Sequence, residues 1–102
     1  MKIYLDDTRP APEGWHLVYT PEEAIAFLER GLVREISLDH DLGLDHDRTG
    51  YAVLVWIEKQ VYSEPKFYPP IIHLHTMNPI GRKRMEAALT QIHSRLKQTG
   101  KM

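Results

Sequence analysis

The chain has 102 residues, 42% of them hydrophobic and 26% charged, with a formal net charge of −1 and no cysteine. That length holds one core and not two, and the composition is that of a globular domain rather than a disordered one. The charge excludes a global basic field for nucleic acid, the lack of cysteine excludes disulfides and thiolate chemistry, and the apolar runs are too short to span a bilayer.

In chain order, KIYLD (2–6) is a short apolar run that stops at Asp6-Asp7 and gives way to the proline-punctuated TRPAPEG. WHLVYT (15–20), rich in aromatic and β-branched residues, predicts a second strand. Thr20-Pro21-Glu22-Glu23 combines a capping box with proline at the first helical position, so a helix starts there. Ala24, Phe27 and Leu28 form its buried stripe, and Gly31 stands where a C-terminal cap belongs. REISLD (34–39) predicts the third strand. After the acidic LDHDLG (38–43), Thr49 caps a helix whose apolar face includes Val53, Leu54, Trp56 and Ile57 and which ends near Ser63. PPIIHLHT (69–76) is the fourth strand, and the last helix runs from about Arg82 to Gln98, with Met85, Ala88, Leu89, Ile92 and Leu96 on one face. QTGKM reads as a frayed tail.

Strands alternating with helices imply right-handed crossovers and a mostly parallel, four-stranded sheet. DTRPAPEG is shorter than the roughly dozen residues a parallel crossover takes, so a loop is expected in place of the first helix. In a parallel α/β sheet the carboxyl ends of all strands open onto one edge, where ligands bind. That rule gathers Asp6, Asp7, Asp39, His40, Asp41, His75 and Thr76 into one site. Like charges about 4 Å apart repel by roughly 4 kcal/mol at an effective dielectric of about 20, so the carboxylates need protons or a cation. Oxygen ligands at this density suit Mg²⁺ or Mn²⁺.

Asp6-Asp7 after the first strand, Asp39-x-x-Leu42 after the third, Gly50 opening the next helix and Thr76 ending the fourth strand resemble a response-regulator receiver domain. The resemblance implies a small flavodoxin-like three-layer α/β fold. It also implies that Asp7 and Asp39 are metal ligands, helped by Asp6 and the main-chain carbonyl of Asp41. The chain departs from that pattern by ending after its fourth strand and a helix, without the fifth strand and its lysine, and by adding histidines. YLDDTRPAPEGW, EISLDHDLG, TGYAVLVWIE and IHLHTMNPIGRKRM together resemble the cyclic-phosphate processing receiver-like domains across nearly the whole chain. That resemblance implies a truncated receiver-like domain spanning residues 1–102 and a role in processing cyclic phosphates, at an RNA end during RNA repair or in a nucleotide.

His40, between two acids, can pass protons near neutral pH, or it is a loop histidine bonded to Asp39 or Asp41. His73 and His75 alternate on the fourth strand and share a face; His73 is expected in the core and His75 near the metal edge, as acid or base or as a buried hydrogen-bonder. Asn78 either donates to a phosphate oxygen or caps the turn, and Arg82, Lys83 and Arg84 either bind phosphate or form a solvated helix face, with Arg82 closest to the edge. Arg9 is a phosphate partner or an ion-pair partner of Asp7. Asp45, His46 and Asp47 read as a solvated turn, and Trp15 and Trp56 as packing groups.

The expected function is therefore a metal-dependent phosphoesterase acting on a cyclic phosphate. Asp39, His40 and His75 are its catalytic residues, Asp6, Asp7, Asp39 and Asp41 its metal site, and Arg9, Thr76, Asn78 and Arg82 its phosphate contacts. The alternatives are a receiver-like phosphoacceptor signalling module on Asp39 and a non-catalytic binding module. No membrane partner and no DNA-binding motif are read, and the absence of cysteine and of a signal-like leader gives cytoplasmic as the expected location.

Overall fold

A computed structural model describes residues 1–39 and 50–101. Its elements are β1 (Lys2–Leu5), β2 (His16–Val18), α1 (Pro21–Glu29), β3 (Glu35–Leu38), α2 (Gly50–Ser63), β4 (Ile71–Leu74) and α3 (Pro79–Gln98). The four strands form one sheet in the order β2-β1-β3-β4, and every pairing is parallel. This is the expected truncated receiver-like α/β class. The β1–β2 connection is a loop, as its length and its Pro10, Pro12 and positive-φ Gly14 dictate.

The α1 signals act where they were read, while the expected Thr49 cap of α2 lies outside the described residues. Thr20 caps α1, its hydroxyl oxygen accepting from the Glu23 N–H at 3.2 Å, and Gly31 follows the helix at φ 71°. The start of α3 is a correction: it begins at Pro79, not near Arg82. The Asn78 side-chain oxygen accepts from the Ile80 and Gly81 N–H groups, each at 3.0 Å, and proline occupies the first turn. The tail is a second correction, since it is tied down as far as Lys101. Gly100, at φ 72°, lets the Lys101 N–H reach the Leu96 carbonyl at 2.9 Å, and the Lys101 ammonium donates to the Val61 and Glu64 carbonyls at 2.8 and 2.7 Å.

The layering also differs from the expectation. The steps from β2 to β3 and from β3 to β4 run the same way across the sheet, so right-handed crossovers put α1 and α2 on one face. Ile3, Leu5, Ile36 and Leu38 from that face form one core with Ala24 and Leu28 of α1, Val53, Leu54, Ile57 and Val61 of α2, and Met85, Ile92 and Leu96 of α3. Burying each of these side chains other than Ala24 contributes about 1.5–3 kcal/mol. The β1 to β2 step runs the opposite way, and the element that would cover the second face is the 6–15 loop. A third layer of helices is therefore missing among the described residues. The second face carries Tyr4, Ser37 and His73 in register, with Trp15 edge-on to Tyr4 and His73 at centroid distances of 6.2 and 6.1 Å.

That face explains why His73 is not the core histidine expected. Ile72 and Leu74 pack toward the helices, so His73 points away from them, its side chain half exposed and 3.6 Å from the Glu35 carboxylate. No described helix is long and apolar enough to cross a membrane.

Candidate metal centre

Strand register builds the site. Leu5, Leu38 and Leu74 are aligned across β1, β3 and β4, and all three pack toward the helices. The residue after each one is Asp6, Asp39 and His75, and strand alternation turns all of them away from the helix side at the carboxyl edge. The ladder continues through them: the Asp39 N–H donates to the Leu5 carbonyl at 3.2 Å and the His75 N–H to the Leu38 carbonyl at 3.1 Å. Asp6, Asp39 and His75 each offer one ligand atom, and these atoms lie within 4.8 Å of one another.

Asp6 is fully buried. Its Oδ1 accepts from the Thr8 N–H at 2.9 Å, the Thr8 hydroxyl at 3.2 Å and the Arg9 N–H at 2.9 Å, which folds the chain back after β1. Its Oδ2 faces the His75 Nε2 at 3.1 Å. Burial works against this carboxylate, but the backbone N–H groups of Arg9 and Thr8 and the nearby imidazole outweigh it and hold its pKa below the ordinary aspartate value. Asp39 is 5% exposed, and its carbonyl accepts from the Gly50 N–H at 3.0 Å, tying β3 to the start of α2.

His75 is held on three sides. Its Nδ1 lies 2.7 Å from the Ser37 hydroxyl, its Nε2 faces Asp6, and its ring stacks on Tyr4 with centroids 4.1 Å apart and planes 9° from parallel. Burial pushes its pKa below the ordinary histidine value, against the raising effects of Asp6 and Asp39. A neutral imidazole is the form that ligates metals.

The remaining expected residues fall into four groups. Asp7 is half-buried and lies outside the group of three ligand atoms. Arg9 pairs with Asp6, at 3.8 Å from its Oδ2, and it donates to the His75 carbonyl at 2.8 Å. Thr76, Asn78 and Arg82 build the β4–α3 connection: the Thr76 hydroxyl oxygen accepts from the Asn78 N–H at 3.2 Å, Asn78 caps α3, and Arg82 donates to the Leu74 carbonyl at 3.4 Å. His40 and Asp41 lie outside the described residues, as do Asp45, His46 and Asp47. Sequence reasoning missed Ser37 and Tyr4. Their signal was present in the register, which sets both on the face that carries His75.

A family model for the cyclic-phosphate processing receiver domain matches residues 1–91. The chain belongs to that family. A search of curated proteins and of solved structures finds no match. Family membership agrees with the parallel sheet and links the domain to cyclic-phosphate processing.

Asp6, Asp39 and His75 fit a divalent cation. Ligand bonds of about 2.0–2.2 Å span at most about 4.4 Å between opposed donors, so closing the group by a few tenths of an ångström would seat an ion. Two carboxylates and an imidazole offer oxygen and nitrogen donors together to a divalent cation.

Proposed function

We propose that this domain is a divalent-cation-dependent phosphoesterase that opens a cyclic phosphate on a nucleotide or RNA end. The supporting observation is the convergence of Asp6, Asp39 and His75 within 4.8 Å at the carboxyl edge. When bound, the cation polarises a phosphoryl oxygen and lowers the pKa of a coordinated water. Asp6 and Asp39 supply the negative charge that holds it, and His75 supplies a neutral nitrogen. Arg9 offsets part of the charge on Asp6 and, through the His75 carbonyl, anchors the end of β4. Asn78 and Arg82, on the connection next to His75, are the proposed contacts for the ester's outer oxygens. His40 is the proposed proton carrier, assigned from its place in the sequence beside Asp39.

The test combines turnover with a readout of binding. Purified protein with Mn²⁺ is incubated with 2′,3′-cyclic nucleotides, and the expected product is a nucleoside monophosphate, lost in Asp39→Asn. A cation at a hundred times its dissociation constant adds about 2.7 kcal/mol of stability, so Tm should rise by about 11–22 °C in wild type and stay fixed in Asp39→Asn. A wild-type Tm indifferent to Mn²⁺ and Mg²⁺, with no turnover, refutes the proposal.

A further inference from the structure

The two nitrogens of His75 face partners of different chemistry, and this constrains where the ring proton sits. The ionised Asp6 carboxylate only accepts hydrogen bonds, and its Oδ1 already takes three donors. Its Oδ2 lies 3.1 Å from Nε2, so Nε2 carries the proton. Nδ1 then holds a lone pair, and the Ser37 hydroxyl at 2.7 Å is the donor to it. A cation bound through Nε2 inverts every one of these roles. Nε2 must present its lone pair, the proton must sit on Nδ1, and Ser37 must accept.

A backbone carbonyl or a carboxylate, the usual outer partner of a metal-bound histidine, can only accept and so serves just the second arrangement. A hydroxyl serves both by rotating about one bond. Ser37 is also 6% exposed and set in the middle of the sheet by its pairing with Tyr4 and His73, so water does not compete freely for the bond. The Tyr4 stack holds the ring plane while the proton changes sides.

We infer that Ser37 is a positioning residue that lets His75 exchange the Nε2–H tautomer for the Nδ1–H tautomer as a cation enters between Asp6, Asp39 and His75. The ring keeps one proton throughout: Nε2 gives one to solvent, Nδ1 takes one from solvent, and no net proton is released. Without a cation, the Asp6–His75 hydrogen bond holds the ligands together. With it, the same ring becomes a ligand without turning over. This inference rests on the cation site of the proposed function.

The experiment is long-range ¹H–¹⁵N correlation of the histidine rings in the full chain at pH 8, with diamagnetic Zn²⁺ as the probe, together with calorimetric Zn²⁺ titration. Metal-free wild type should show His75 protonated on Nε2, and Zn²⁺ should move the proton to Nδ1. Ser37→Ala should bind Zn²⁺ about 10–100-fold more weakly, the usual cost of losing an outer partner, and Ser37→Thr, which keeps the hydroxyl, should recover most of that loss. Asp6→Asn turns an N–H toward Nε2 and should give the Nδ1–H tautomer with no metal present. A metal-free wild type already protonated on Nδ1, or Ser37→Ala binding Zn²⁺ as tightly as wild type, overturns the exchange and leaves the cation site standing. Wild type that binds no cation overturns the proposed function and the exchange together.

Discussion

Gly50→Ala isolates the contact that ties the site to a helix. Gly50 opens α2, is buried, and donates its N–H to the Asp39 carbonyl at 3.0 Å. A Cβ there would lie far inside van der Waals contact of that same carbonyl oxygen and 3.1 Å from the Met85 Cε. The methionine methyl can yield, because its side chain is flexible. The carbonyl cannot, because it belongs to the end of β3. Alanine gains up to about 1 kcal/mol in helix propensity, less at the first helical residue than in the interior. Against this stand overpacking, about 1–3 kcal/mol, and a weakened backbone hydrogen bond, about 1 kcal/mol. The net loss expected is about 1–3 kcal/mol, a sizeable part of the 5–15 kcal/mol typical of a domain. With a urea slope of about 1 kcal/mol/M, the midpoint should fall by about 1–3 M. Moving β3 also moves the Asp39 carboxylate, so Mn²⁺ affinity should fall in the same variant. An alanine variant with the wild-type midpoint and wild-type Mn²⁺ affinity would refute the reasoning.

Acid should destabilise the metal-free protein in two stages. The His75 pKa lies below its ordinary 6.5, so the unfolded chain takes up that proton first, and the stability present above pH 6.5 is lost as pH falls toward the native pKa. The Asp6 pKa lies below 3.8, so its contribution holds above that pH and is lost as the acid range is entered. Urea midpoints measured from pH 7.5 down to 3 should show both losses, and His75→Gln should remove the first and shrink the second, because the imidazole also helps hold the Asp6 pKa down. Asn78→Ala strips the cap from α3 and should cost about 1 kcal/mol, read as a Tm lowered by about 4–8 °C. Lys101→Met removes two charge-assisted bonds to carbonyls at the end of α2; it should cost about 1 kcal/mol and speed amide exchange in the last turn of that helix.

The elements were legible because their signals are local. Thr20-Pro21-x-Glu23 starts α1, and the three-and-four spacing of Met85, Ile92 and Leu96 marks the buried face of α3. What was not legible depends on which sheet face a helix covers. His73 looked like a core residue because a strand between α2 and α3 would normally be buried on both sides, and the missing third layer left its face open. Ser37 and Tyr4 read as ordinary strand residues, since their relation to His75 exists only once β1, β3 and β4 are set side by side. The receiver resemblance put Asp7 ahead of Asp6 as a metal ligand, and nothing in the two adjacent letters argued otherwise. Alternation after Leu5 separates them, making Asp6 the buried member that faces His75.

The alignment of Leu5, Leu38 and Leu74 also bears on how the molecule avoids misfolding. Sliding any one of these strands by a single position would swing a carboxylate or imidazole into oil and push a leucine out into water. Correct threading of the sheet and correct assembly of the reactive groups are thus one and the same event. A chain that reaches its stable state already has Asp6, Asp39 and His75 mustered at one edge.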